Sequence, residues 1–193
     1  MTEEKLFAWG IRLEYITIGW NILECGFLIW AGIVAGSIAM VGFGVDSIIE
    51  IFASLVVVWH LRGIHKTEEK LALRLIAGAF FVVAIYILSQ SVYILYSGSL
   101  VGTSIPGMVW LLLTVIVMLS LSILKGHIGK KIKNKVLIAE SKVTRVDAYL
   151  ASATLLGVAL NWMFGMWWAD PLAGLVIVYY GFKEGWYILR GAS

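Results

Sequence analysis

The sequence predicts an all-α membrane protein: a bundle of six transmembrane helices with both termini in the cytoplasm. Three observations predict it. The 193 residues are 61% hydrophobic and 14% charged, with a mean hydropathy of +0.92; soluble domains run at about 45–50% apolar and about 25% charged. The apolar residues fall into six segments, and a span needs about 20 of them. The basic residues sort to one end of those segments.

The same numbers exclude other classes. A soluble globular domain and a disordered chain are too polar to match. Fifteen Lys and Arg give a net charge of +3, too few for a nucleic-acid-binding face once the membrane flanks take their share. Nine Trp, eight Tyr and eight Phe suit the bilayer interfaces. Six spans with short connections use nearly the whole length, which leaves no second soluble domain. The single cysteine, Cys25, lies in an apolar run and reads as a small core residue rather than half of a disulfide. The opening Met1-Thr2-Glu3-Glu4-Lys5 lacks the basic start of a signal peptide, and no small-residue cleavage site follows the first apolar run, so that run stays as a span.

In chain order the expected spans are 11–35, 37–61, 71–96, 104–124, 137–161 and 169–189, one transmembrane domain over 1–193. The first two are separated only by Gly36 and Ser37. Pro106 falls in the first turn of the fourth, where a missing N–H costs little. Asp170-Pro171 at the start of the sixth reads as a helix cap followed by proline at the first helical position. The stretch 125–135, KGHIGKKIKNK, reads as a basic linker that anchors orientation, with anionic lipid heads as a sharper partner.

Orientation follows from charge. Lys5 and Arg12 precede span one; Arg62, Lys66, Lys70 and Arg74 surround the second connection; Lys125, Lys130, Lys131, Lys133, Lys135, Lys142 and Arg145 surround the fourth; Lys183 and Arg190 lie near the C-terminus. The opposite connections, around Gly36, from Ser97 to Pro106 and from Asn161 to Trp168, contain none. The positive-inside rule places the basic side in the cytoplasm.

Most of the twelve acids are expected at the periphery: Glu3, Glu4, Glu14, Glu68, Glu69 and Glu184 near the cytoplasmic boundary, solvated, and Asp170 outside. Glu24, Asp46, Glu50, Glu140 and Asp147 are different, because they lie within apolar spans. An acid at the bilayer centre costs at least ~2.5–3.5 kcal/mol on insertion scales, so it marks a functional position. Asp46 and Glu50 are one turn apart on one helix face, as are Glu140, Thr144 and Asp147. At a rise of ~1.5 Å per residue, Glu50 and Asp147 sit roughly 15 Å and Glu24 and Asp46 roughly 20 Å from the cytoplasmic ends, with Glu140 nearer the mouth. Oxygen ligands converging at the midplane from several helices describe a site for a hard or borderline divalent cation. The plainer reading is structural pairing, with Lys142 or Arg145 as partners, though both can snorkel outward; no basic residue is expected at mid-depth in spans one to four. His60, His65 and His127 are expected at or beyond the cytoplasmic boundary.

The motifs resemble those of the cation diffusion facilitators, which export divalent metals in exchange for protons. In span two, Gly36-Ser37-Ile38-Ala39 followed by Asp46 and Glu50 is similar to that family's Gly-Ser-x-Ala and D-xxx-D pattern. In span five, Arg145-Val146-Asp147-Ala148 with Ser152 resembles H-x-R-S-D-A-x-x-S, and Trp168-Ala169-Asp170-Pro171 with Gly174 resembles W-x-D-P-x-x-x. The resemblance implies that Asp46, Glu50 and Asp147 ligate metal. The family's remaining span-five ligand, His or Asp, falls on Val143, which cannot coordinate; Glu24 or Glu140 is expected to supply the missing ligand. A site without imidazole is harder than the usual zinc site and favours Mn²⁺, Fe²⁺ or Co²⁺, with Zn²⁺ kept in range by the affinity order. Family members commonly continue into a cytoplasmic domain; none is expected here, and a homodimer would form through spans, with Gly32 and Gly36 as a packing pair.

The expected function is therefore divalent-cation efflux by cation/proton antiport, in the plasma membrane of a bacterium or archaeon, with no prosthetic group, no enzymatic activity and no nucleic-acid partner. Divalent cations, protons and membrane lipids are the expected partners. Two alternatives come from other classes. A metal-binding regulator or subunit on the same bundle would bind without transporting. An intramembrane aspartyl protease would use Gly42-Phe43-Gly44-Val45-Asp46, which departs from the Gly-x-Gly-Asp pattern by one residue, with Asp147 as partner.

Overall fold

The structure is a computed structural model and describes residues 3–35, 37–63, 69–98 and 104–191. The described residues form six helices: α1 (Glu3–Ala35), α2 (Ile38–Arg62), α3 (Glu69–Ser97), α4 (Ile105–Lys131), α5 (Lys135–Phe164) and α6 (Ala169–Gly191). Among the described residues, α1 to α5 are long and apolar enough to cross a membrane. α6 has 23 residues, about 35 Å at the helical rise, but carries Lys183, Glu184 and Arg190 in its second half.

The helix ends follow local chemistry. Ser37 caps α2, accepting a hydrogen bond from the Met40 amide at 3.3 Å. Ser104 caps α4 in the same way through Gly107 at 3.2 Å, and Asn134 caps α5 through Leu137 at 2.9 Å. Each side-chain oxygen satisfies an amide that has no intrahelical acceptor. α5 ends on Gly165 at φ 67°, the left-handed position that glycine occupies without strain. α6 begins at Ala169, so Asp170 is already helical rather than a cap before it. The Asp170 side chain, Gly36, His65, Lys66 and Glu68 lie outside the described residues.

The basic stretch 125–135 is not a linker. α4 runs on to Lys131, and only Ile132, Lys133 and Asn134 separate it from α5. The charges hide a continuing helical face: Leu111, Thr114, Met118, Ser122, Lys125 and Gly129 are all buried. Gly129 permits the tight αα-hairpin, because a Cβ there would stand 2.9 Å from Ile138 Cγ1 and 3.1 Å from its amide nitrogen.

Adjacent helices pair as α1 with α2, α4 with α5, and α3 with α6. Gly32 serves the first of these pairs, since its added Cβ would lie 2.7 Å from Val41 of α2. Its use is therefore internal packing within one chain. The bundle has an apolar core, with Leu28, Ile76, Phe80 and Leu111 buried, and it also buries a set of polar and charged groups beneath an apolar surface. Ile22, Leu23, Trp30, Ile33, Val82, Ile85, Ile116 and Leu156 are exposed, while Glu14, Thr17, Asn21, Glu24, Asp46, Glu50, Thr114, Lys125, Glu140, Thr144 and Asp147 are buried. The apolar exterior and the buried charges set it apart from a soluble protein. It suits a hydrocarbon surround, where polar groups must find partners within the bundle.

Candidate functional site

The inner faces of α1, α2, α4 and α5 carry the polar residues, arranged in three adjoining groups. The first joins α2 and α5. Asp46, Glu50 and Asp147 line one cavity of about 10 Å³ together with Phe80 and Val83 of α3 and Val143 and Val146 of α5. A cavity of that size holds one water at most. All three carboxylates are buried. Asp46 Oδ1 and both Asp147 oxygens accept no hydrogen bond from any described residue. Glu50 accepts one from the Thr144 hydroxyl at 2.6 Å. Val143 borders the same cavity and offers it only methyl groups.

The second group surrounds Glu24. One of its oxygens accepts from the Thr114 hydroxyl, and the other from Ser47 at 3.3 Å. Trp20 donates its indole N–H to Thr114 at 3.3 Å and stacks on Trp110 at 5.4 Å between centroids. Glu24 is thus tied to α2 and α4 through both oxygens.

The third group lies toward the basic end of the bundle. Lys125 Nζ is 2.7 Å from Glu140 and 3.0 Å from Glu14, with all three side chains fully buried. The ammonium also donates to the Thr144 hydroxyl at 3.2 Å. Ser54 donates to Glu140 at 3.3 Å. Thr144 has one proton to give, and Glu140 Oε1, at 3.0 Å, already receives from Lys125 and Ser54; the proton goes to Glu50. A chain of hydrogen bonds therefore runs from Lys125 through Thr144 to Glu50, linking the third group to the first.

Several expectations are corrected. Glu14 is buried and ion-paired, not solvated at the boundary. Lys125 is not the first residue of an orientation-anchoring linker but a cation inside the bundle, on the continuation of α4. Structural pairing of the inner acids uses Lys125. Lys142 instead pairs with Glu184 of α6 at 2.7 Å, and Arg145 donates to Ser122 at 3.2 Å. His127 is exposed. Periodicity held the missed signal: Glu14, Thr17, Asn21 and Glu24 form one polar stripe at helical spacing, and Lys125 continues the stripe of Thr114, Met118 and Ser122.

Asp46, Glu50 and Asp147 are brought to one cavity, whereas Glu24 and Glu140 are each held beside it by other partners. Among the described residues no three His, Cys, Asp or Glu side chains stand close enough to hold a metal ion in this conformation. The cavity is nevertheless lined by hard oxygen donors with unused lone pairs. Burial of such groups is stable only with a proton or a cation attached.

Residues 15–193 match the family model described as the cation efflux transmembrane domain. No curated protein matches the chain.

Proposed function

The chain belongs to the cation efflux family, and from that premise we propose that it exchanges divalent cations for protons at a centre made of Asp46, Glu50 and Asp147. It is an integral membrane protein and a cation efflux transporter; the exchange chemistry, the ligands and the choice of ion are the proposal. The observation that carries it is the single buried cavity shared by three carboxylates, with Asp46 Oδ1 and both Asp147 oxygens unpartnered. Each group sheds its proton to take the ion and regains one when the ion leaves, so the two cargoes exclude each other.

The cavity is too small to admit a hydrated ion. Loading and release therefore require the helices to part, first toward the cytoplasm and then toward the far side, as in rocking-bundle exchange. Asp46 and Glu50 on α2 and Asp147 on α5 would separate or converge as those helices shift. Glu24 ties α1 to α2 and α4 through Ser47 and Thr114, and Glu140 is held by Lys125. The donor set is all oxygen, which suits Mn²⁺, Fe²⁺ or Co²⁺ as substrate and leaves Zn²⁺ within reach.

The test is uptake of each divalent ion into pH-clamped proteoliposomes. Asp46→Asn keeps the side-chain volume and removes the exchangeable charge. It is expected to abolish proton-coupled uptake; uptake at the wild-type rate refutes the assignment. Ion binding without flux in the wild type would instead favour a regulator built on the same bundle.

A further inference from the structure

Glu14, Glu140, Ser54 and Thr144 form an oxygen-lined cage from α1, α2 and α5, and the Lys125 ammonium of α4 fills it. We infer that Lys125 is a tethered cation that occupies this cage, keeping a passing divalent ion from being trapped there and setting Glu50 through Thr144. It is a positioning residue, and the inference rests on the exchange centre proposed above.

Three observations carry it. The ammonium contacts three oxygens at 2.7–3.2 Å with no exposure to solvent. Within the cage, Glu140 Oε2 and both Glu14 oxygens remain without a hydrogen-bond partner among the described residues, Glu14 Oε2 meeting the ammonium as an ion pair only, so the oxygens exceed the donors that one ammonium supplies. The cage also adjoins the exchange centre through Thr144, whose hydroxyl accepts from Lys125 and donates to Glu50 at 2.6 Å.

Charge and reach distinguish this lysine from an ordinary buried pair. Two carboxylates and two hydroxyls are a set of ligands that a free Mn²⁺ would take. A covalently held +1 charge blocks that set but cannot be carried across. Removing the ammonium would leave a second divalent site beside the first, on the basic side of the bundle. An ion bound at both places would leave slowly.

The experiment is equilibrium binding of Mn²⁺ to the full chain in nanodiscs, together with transport in proteoliposomes, for wild type, Lys125→Gln, Lys125→Arg and the double variant Lys125→Gln/Glu140→Gln. Wild type is expected to bind one Mn²⁺ per chain and Lys125→Gln two, with at least a fivefold fall in both KM and kcat for Mn²⁺. Lys125→Arg is expected to remain at one, since the guanidinium restores the charge. The double variant is expected to return to one, because the cage has lost a ligand. That pattern separates a cation plug from simple loss of folding, which would lower binding in every glutamine variant. One ion per chain in Lys125→Gln, with KM unchanged, overturns the inference. If the wild type binds none and Lys125→Gln gains one, the cage stands and the three-carboxylate centre falls.

Discussion

Val143→Asp tests the centre where its ligand set is incomplete. Val143 is 3% exposed and borders the cavity with Asp46, Glu50 and Asp147. Aspartate is close to valine in size, so the exchange adds charge without overfilling the cavity. Kept ionised in the ion-free protein, the new group would cost about 2.5–3.5 kcal/mol at helix centre, so it holds a proton there. A divalent ion 4 Å away returns about 8 kcal/mol at an effective dielectric of 20, twice the single-charge value; displacing the proton that the new group carries when no ion is bound consumes much of this. The expected net gain is ten- to a hundredfold in ion affinity, about 1.4–2.8 kcal/mol. The variant should melt earlier than wild type without metal and recover more stability on adding Mn²⁺ or Zn²⁺, as binding linkage requires. Isothermal titration and thermal melting in nanodiscs measure both. Val143→Asn, of similar size and uncharged, should show a smaller gain. Equal affinity in wild type, Val143→Asn and Val143→Asp would refute the placement of residue 143 at the ion.

Glu24→Gln separates an anchor from a ligand: with both oxygens already engaged by Ser47 and Thr114, the variant should transport with a KM within twofold of wild type, whereas a tenfold rise would make Glu24 a ligand. Gly44→Val should loosen the α1–α2 pair, since its first added carbon would stand 2.9 Å from Ile29 Cγ1 and 3.1 Å from the Ile29 amide nitrogen; overpacking of about 1–3 kcal/mol is expected, read as earlier thermal aggregation, and unchanged melting would show that the helices part without cost.

Much of the fold is legible from local information. Ser37 and Ser104 cap helices at or beside the span starts expected at 37 and 104, whereas Asn134, the cap of α5, falls within the stretch read as a linker. Asp46 and Glu50 announce themselves by standing one turn apart inside an apolar run, and Asp147 by its depth. The buried charges Glu14 and Lys125 escape the sequence for one shared reason. Glu14 and Lys125 lie near the ends of their apolar segments, where a charge normally reaches water, and the basic stretch 125–135 resembles a surface connection. Their helical phase nevertheless turns them inward.

The sequence by itself determined the membrane setting, the helical segments and the segregation of basic residues to one side, because hydropathy, length and capping act within a single segment. It also placed three carboxylates at mid-depth within apolar spans. Only the tertiary structure decided who meets whom: Lys125 with Glu14 and Glu140, Thr114 with Glu24, and Asp46, Glu50 and Asp147 around a cavity of about 10 Å³. Those meetings depend on how α1, α2, α4 and α5 are rotated and set against one another. Helix packing fixes that phase through contacts between residues as far apart as Glu24 and Thr114, beyond the range over which spacing along one chain carries information.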